Sequence, residues 1–237
     1  MSATGPRIVS VNTGRIAEVE WDAAGRTAID KRPAPGRVRV GELGLEGDEI
    51  ADTRHHGGVH QAVYAYAQED LAFWEAELGE PIEPGTFGEN LTTAGLDLNA
   101  LEVGAHLRVV PAEGDPEDGA LLEVASVRTP CNDFRAWMGV SGYRTRGFVR
   151  RFTEVARPGP YFRVLETGTV GVGDGLEVVH TPGHGVTVHQ MFVALHTDRS
   201  QLLSLREVAG LPPKIQQKVD RFVLETGTLL PPSPGVI

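Results

Sequence analysis

The sequence predicts a mainly β protein with peripheral helices: a closed or nearly closed β-barrel followed by a small C-terminal three-helix appendage. Three observations carry this. Short extended runs bounded by Gly, Pro or Asp fill most of the first four-fifths of the 237 residues. They follow one another without a βαβ rhythm, and closure is the usual way for such strands to avoid exposed edges. Near residue 186 the apolar period changes from that of a strand to that of a helix. The expected organisation is a barrel over 1–184, a helical extension over 185–228 and a frayed tail over 229–237.

The strands are read at residues 8–11, 37–40, 106–110, 121–127, 161–165 and 176–179, several of them alternating. One helix interrupts them, with Leu71, Trp74 and Leu78 on one face, Glu69 and Asp70 in its first turn and Gly79 as its stop. Shorter helical turns are read at 132–138 and 147–156. In the extension, Thr187 can cap a helix carrying Val188, Met191, Phe192 and Leu195, and Asp198 a second carrying Leu202 and Leu205. Pro212 and Pro213 suit the first turn of a third, which buries Ile215, Val219, Phe222 and Val223 and ends at Gly227.

Composition narrows the function. The net charge of −10 argues against a broad nucleic-acid surface, and no apolar run approaches the roughly 20 residues of a membrane helix. The first residues lack the apolar core of an export signal, and a single cysteine forms no internal disulfide, so a cytoplasmic location is expected. That cysteine, Cys131, lies in the one cationic stretch. Residues 128–163 carry eight arginines against Asp133 and Glu154, a local charge of +6. Thiolate and anionic ligand are both favoured there. The plainer reading is a small buried hydrophobe beside a solvated arginine face.

Three further segments hold candidate chemistry. His55, His56 and His60 flank Gly57-Gly58, but their spacing matches no zinc motif; a Gly-Gly turn suits close approach to a ligand, or a plain turn. Residues 84–96 set Glu89, Asn90, Thr92 and Thr93 between glycines. Such a loop can read a polar heterocycle edge, or serve as a well-bonded structural turn. Arg157-Pro158-Gly159 leads into a strand, where the arginine can grip a phosphate or pair with an acid.

In this order the segments resemble the MOSC domain, the C-terminal domain of molybdenum cofactor sulfurases, and more narrowly its YiiM-type stand-alone group. The residues that carry the likeness are Gly44-Leu45-Glu46-Gly47-Asp48, His56-Gly57-Gly58, Phe87-Gly88-Glu89-Asn90-Leu91-Thr92-Thr93, Arg128 with Pro130-Cys131, and Arg157-Pro158-Gly159. The resemblance implies a strand-rich barrel and binding of the molybdenum cofactor (molybdopterin with molybdenum). Cys131 is implied as the catalytic thiolate and the metal ligand. The implied cofactor-binding residues are His55, His56, Gly57, Gly58, Phe87, Glu89, Asn90, Thr92 and Arg128, with Arg150, Arg151 and Arg157 on the cofactor phosphate. Many relatives carry Lys where Gln61 stands, which weakens a phosphate contact at that position. The implied activity is reduction of small N-hydroxylated compounds such as hydroxylamino-purines, with electrons from an external donor protein. Two alternatives stand beside it: a sulfur (persulfide) or cofactor carrier, and a non-catalytic module for a phosphorylated ligand. No nucleic-acid or membrane partner is expected, and a homodimer is kept as one expectation of assembly.

Overall fold

The computed structural model describes residues 5–21 and 25–227; the tail expected to fray lies outside the described residues. Strands β1 (Arg7–Gly14), β2 (Ala17–Glu18), β3 (Arg26–Thr27), β4 (Lys31–Pro33), β5 (Val38–Gly41) and β6 (Gly44–Leu45) come first. They are followed by β7 (Val63–Ala67), helix α1 (Gln68–Leu78) and β8 (Leu91–Ala94). Next come β9 (His106–Val110), β10 (Leu121–Val127), α2 (Asn132–Val140), α3 (Phe148–Val155), β11 (Pro160–Glu166), β12 (Gly168–Val170) and β13 (Gly175–His180). Helix α4 (Val188–His196), a 3-10 run over Arg199–Glu207 and α5 (Pro213–Thr226) complete the described chain.

The main sheet runs β13-β9-β10-β11-β7-β8-β1-β4, and Arg7 of β1 also pairs with Gly175 of β13. Seven strands therefore form a ring, with β4 attached outside it through β1. Every pairing in it is antiparallel except β7 with β8, which α1 joins as a crossover. This single βαβ unit corrects the expectation of none. Its two strands, Val63-Tyr64-Ala65-Tyr66-Ala67 and Leu91-Thr92-Thr93-Ala94, are buried along their whole length. A strand covered on both faces has no alternation to read.

Helices α1, α2 and α3 meet on an aromatic core. Trp74, Phe87, Phe134, Phe148 and Phe152 are each at most 2% exposed. Trp74 stacks on Phe152 at 5.7 Å between centroids, and Phe134 meets Phe87 edge-on at 5.1 Å. Each ring removed from water contributes about 1.5–3 kcal/mol. Together they hold the start of α2 against the segment that carries Phe87. The Trp137 indole, which donates to the Thr86 carbonyl at 2.8 Å, pins the same two pieces.

The extension departs from three α-helices. Thr187 and Gln190 form a capping box at α4, and α5 ends at Gly227 in the left-handed region, but the middle segment is 3-10. Its polar side chains bond locally: Asp198 accepts from the Ser200 amide at 3.0 Å and Ser204 donates to the Gln201 carbonyl at 2.7 Å. Such bonds compete with the i to i+4 ladder. Val188, Phe192, Leu205 and Val219 join the same buried cluster as Ile8 and Val124 of the ring, so the core runs on into these helices. Among the described residues no helix is long and apolar enough to cross a membrane.

Candidate functional site

A cleft opens where β4, the 48–57 loop, β7 and the N-terminus of α2 converge, with roughly 810 Å³ of atom-free space including its mouth. Cys131 stands at its edge as the N-cap of α2. Its Sγ accepts from the Phe134 amide at 3.3 Å, and it is partly exposed. A thiolate placed there faces the positive end of the helix. Asp133, in the first turn, and His56, from the loop before Gly57, bring a carboxylate oxygen and a ring nitrogen to the sulfur. The three donor atoms lie within 4.8 Å of one another. Burial, and then Arg128, lower the His56 pKa, so the imidazole is neutral at neutral pH. Gly57, at φ +78, sits in the left-handed region that favours glycine.

Arg128 is the second functional side chain. It is 5% exposed, its Nη1 donates to the Phe87 carbonyl at 2.7 Å, and its guanidinium lies 4.3 Å from the Phe134 ring centroid and 5.1 Å from that of Tyr64. Its Nε has no hydrogen-bond partner among the described residues. A buried donor left unmade costs about 1–3 kcal/mol. In this cleft, that cost marks a place for an acceptor.

Lys31 of β4 also lines the cleft, paired with Asp48, and burial outweighs that pairing to lower its pKa. Asp48 accepts from the Gly14 amide at 2.7 Å and from Asn90 Nδ2 at 2.9 Å. Asn90 in turn accepts from the Tyr64 amide at 3.1 Å, tying β1, β7 and the Lys31 pair together.

Of the residues singled out from the sequence, His56, Gly57, Asn90, Arg128 and Cys131 line the cleft. The others do not line it. His55 turns outward and pairs with Asp52 at 2.6 Å, and Gly58 starts the short 3-10 turn that follows. Phe87 is core. Glu89 is fully buried, its carboxylate accepting from the amides of Gly85 (2.7 Å) and Phe87 (3.0 Å) and from the Thr92 hydroxyl (2.9 Å). Within the 84–96 segment, Glu89 and Thr92 thus serve the turn itself, while Gly88 and Asn90 line the cleft. Gly85, at φ +88, packs so closely on β4 that a Cβ would come within 2.3 Å of the Lys31 carbonyl oxygen.

The arginines divide the same way. Arg150 is exposed near Glu154 at 3.8 Å, Arg151 pairs with Glu77, and Arg157 pairs with Asp70 at 3.2 Å. Asp70 is buried, accepts from Asn99 at 2.7 Å and has its pKa raised to about 6, by desolvation against the pull of Arg157. A carboxyl with a raised folded-state pKa binds more protons folded than unfolded. Its contribution is therefore complete below about pH 4 and is lost as pH rises through 6, on the order of 1–3 kcal/mol. Asp70→Asn is expected to flatten the pH dependence of denaturant unfolding in that window; an unchanged slope would sink the assignment.

Reasoning from the sequence missed Lys31, Asp48, Tyr64, Asp133 and Tyr161 as site residues. Lys31 did carry a signal: it is the only lysine before Lys214. Gln61 also lines the cleft, where its side chain accepts from the Gly57 amide at 3.1 Å, and the cleft's lysine is Lys31 of β4.

Fold and site together define a ring of strands packed with helices, holding a thiol and a buried, incompletely bonded guanidinium in one cleft. The chain belongs to the MOSC domain family, whose pattern it matches over residues 52–177. It is 31% identical over 225 residues to "Uncharacterized protein YflK" of Bacillus subtilis, covering 94% of this chain and 96% of that one. It is 29% identical over 208 residues to "Protein YiiM" of Escherichia coli, covering 86% of each. A "Reductase" of Gibberella moniliformis shares 29% identity over 210 residues, which is 86% of this chain but 35% of that protein. The crystal structure of YiiM from Geobacillus stearothermophilus has the same fold, with a TM-score of 0.72 at 22% identity over 92% of this chain and 99% of that one.

Proposed function

We propose that the cleft binds the molybdenum cofactor through the Cys131 thiolate and that the protein reduces small N-hydroxylated compounds. The observation that carries this is the pairing of the helix-capping thiol with Arg128, whose Nε lacks a partner in the same cleft. The residues fit the cofactor chemically. A thiolate is the soft donor such a metal takes, and the buried guanidinium suits a phosphate ester. When bound, the cofactor would supply a metal able to exchange two electrons and accept an oxygen atom.

The chain's own residues do the rest. Cys131, at the N-terminus of α2, would hold the metal, Arg128 would take anionic charge, and Tyr64 and Tyr161 wall the cleft. Converting N–OH to N–H consumes two electrons and two protons and releases water. We assign the electrons to a separate donor protein, since the sequence carries no flavin or nicotinamide motif. The name of one relative, the Gibberella "Reductase", supports the reading. In that relative this chain matches about a third of a longer protein, with room for further modules.

Metal and pterin analysis of protein expressed with ample molybdate tests it: near-stoichiometric molybdenum with pterin is expected, and protein free of both overturns it. Arg128→Met is expected to weaken retention of cofactor about 10–100-fold, the worth of a charge-assisted hydrogen bond. Molybdenum and pterin would then be lost together on dialysis. Arg128→Lys should not restore them, because an ammonium cannot reproduce the planar fork.

A further inference from the structure

We propose that His56, Cys131 and Asp133 form a binding site for a zinc-class divalent ion, three protein ligands with a fourth position open to the cleft. The inference deepens the proposed function, since it rests on Cys131 being a metal ligand. It adds two ligands and a competing metal.

The donor set is imidazole nitrogen, thiolate sulfur and carboxylate oxygen, all within 4.8 Å of one another. Zinc with bonds of about 2.0–2.3 Å holds tetrahedral ligands about 3.3–3.6 Å apart, so closure asks for a shift of about 1 Å. Two of the three are set by one helix turn: Cys131 as the N-cap of α2 and Asp133 two residues on. The third arrives on a loop followed by two glycines with positive φ, 78° at Gly57 and 76° at Gly58. Three protein ligands and one open position are the pattern of reactive rather than structural zinc. The sulfur and nitrogen donors select such an ion over magnesium or calcium.

A second observation points into the same space. Arg128 is buried, lines the cleft and leaves Nε without a partner among the described residues. Its positive charge favours an anion in the same cleft. No sequence spacing could have announced this site, because His56 lies 75 positions from Cys131 and the fold brings them together.

The consequence is competition. In protein lacking cofactor, zinc would occupy the Cys131 thiolate and block cofactor loading. Cofactor-free protein titrated with Co²⁺ should take up one equivalent. It should show a thiolate-to-cobalt charge-transfer band and the intense visible bands of a tetrahedral ion, both displaced by Zn²⁺. Cys131→Ser should abolish the charge-transfer band. His56→Gln and Asp133→Asn should each weaken affinity at least 10-fold, with thermal unfolding confirming that each variant folds. Co²⁺ that stays six-coordinate without a thiolate band, or affinity unchanged in both His56→Gln and Asp133→Asn, overturns the inference. Molybdenum content after expression with molybdate is read separately. Cobalt bound with no molybdenum ever found leaves this site standing and removes the proposed function; the reverse result does the opposite.

Discussion

Glu89→Ala is expected to lower the stability of the protein by about 3–5 kcal/mol, the largest change of any single substitution outside the aromatic core. The carboxylate is fully buried and answers three donors, the amides of Gly85 and Phe87 and the hydroxyl of Thr92. Deleting it strands all three, each worth about 1–3 kcal/mol when left unmade. Glu89→Gln should cost less, since one oxygen still accepts while the new amide turns a donor toward a donor. The effect reaches the site through one residue. Phe87 gives its amide to Glu89 and its carbonyl to Arg128 at 2.7 Å, so a single residue lies between the buried anion and the buried cation. The two substitutions should therefore be non-additive. Denaturant unfolding of Glu89→Gln, Arg128→Met and the double variant should yield a coupling of about 0.5–3 kcal/mol. A coupling of zero would show that Phe87 does not link them.

This linkage explains what the sequence disclosed and what it hid. Where one face of an element meets solvent, the pattern was legible. The strand at His106–Val110 and the helix Gln68–Leu78 lie where the periodicity placed them. β7 and β8 were not legible, being buried on both faces, and β8 carries two threonines that look like loop residues. The 84–96 segment was ambiguous for the same reason. Glu89, Asn90, Thr92 and Thr93 are polar and all four are buried, yet of these only Asn90 lines the cleft. Three of them satisfy the backbone or one another, a possibility that residue type alone does not settle.

The site itself was half legible. Cys131 and Arg128 could be found from local charge and motif, because three residues on one chain segment set both into the cleft. The remaining arginines misled for an electrostatic reason. The segment's +6 is a sum along the chain, whereas in space Arg151, Arg157 and Arg163 are spent on Glu77, Asp70 and Glu123. Only Arg128 of that series is buried. Asp48, Asp133 and Lys31 could not be placed, since acids and a single lysine carry no periodic signature, and β4 reaches the cleft only by folding against β1.

Cys131→Ser is the substitution that separates the readings of this protein most sharply. Serine is a better N-cap than cysteine, and its hydroxyl can accept from the Phe134 amide as Sγ does at 3.3 Å. Stability should stay within about 0.5 kcal/mol of the parent, as for a surface change, so any loss of function is chemical. If the thiolate binds molybdenum, metal content and reduction of hydroxylamino-purines with a competent donor should both fall at least about 100-fold. That is the upper end of the cost of removing a ligand's supporting partner, and the ligand itself is worth more. If the residue instead carries sulfur, mass spectrometry of the parent protein should find a gain of about 32 Da on Cys131 without pterin. If the cleft only holds a phosphorylated ligand, binding should survive the change to serine and fail with Arg128→Met. Retention of molybdenum by Cys131→Ser at parental levels would remove the thiolate from the proposed mechanism, because the variant preserves the cap, the helix and the shape of the cleft and alters only the donor.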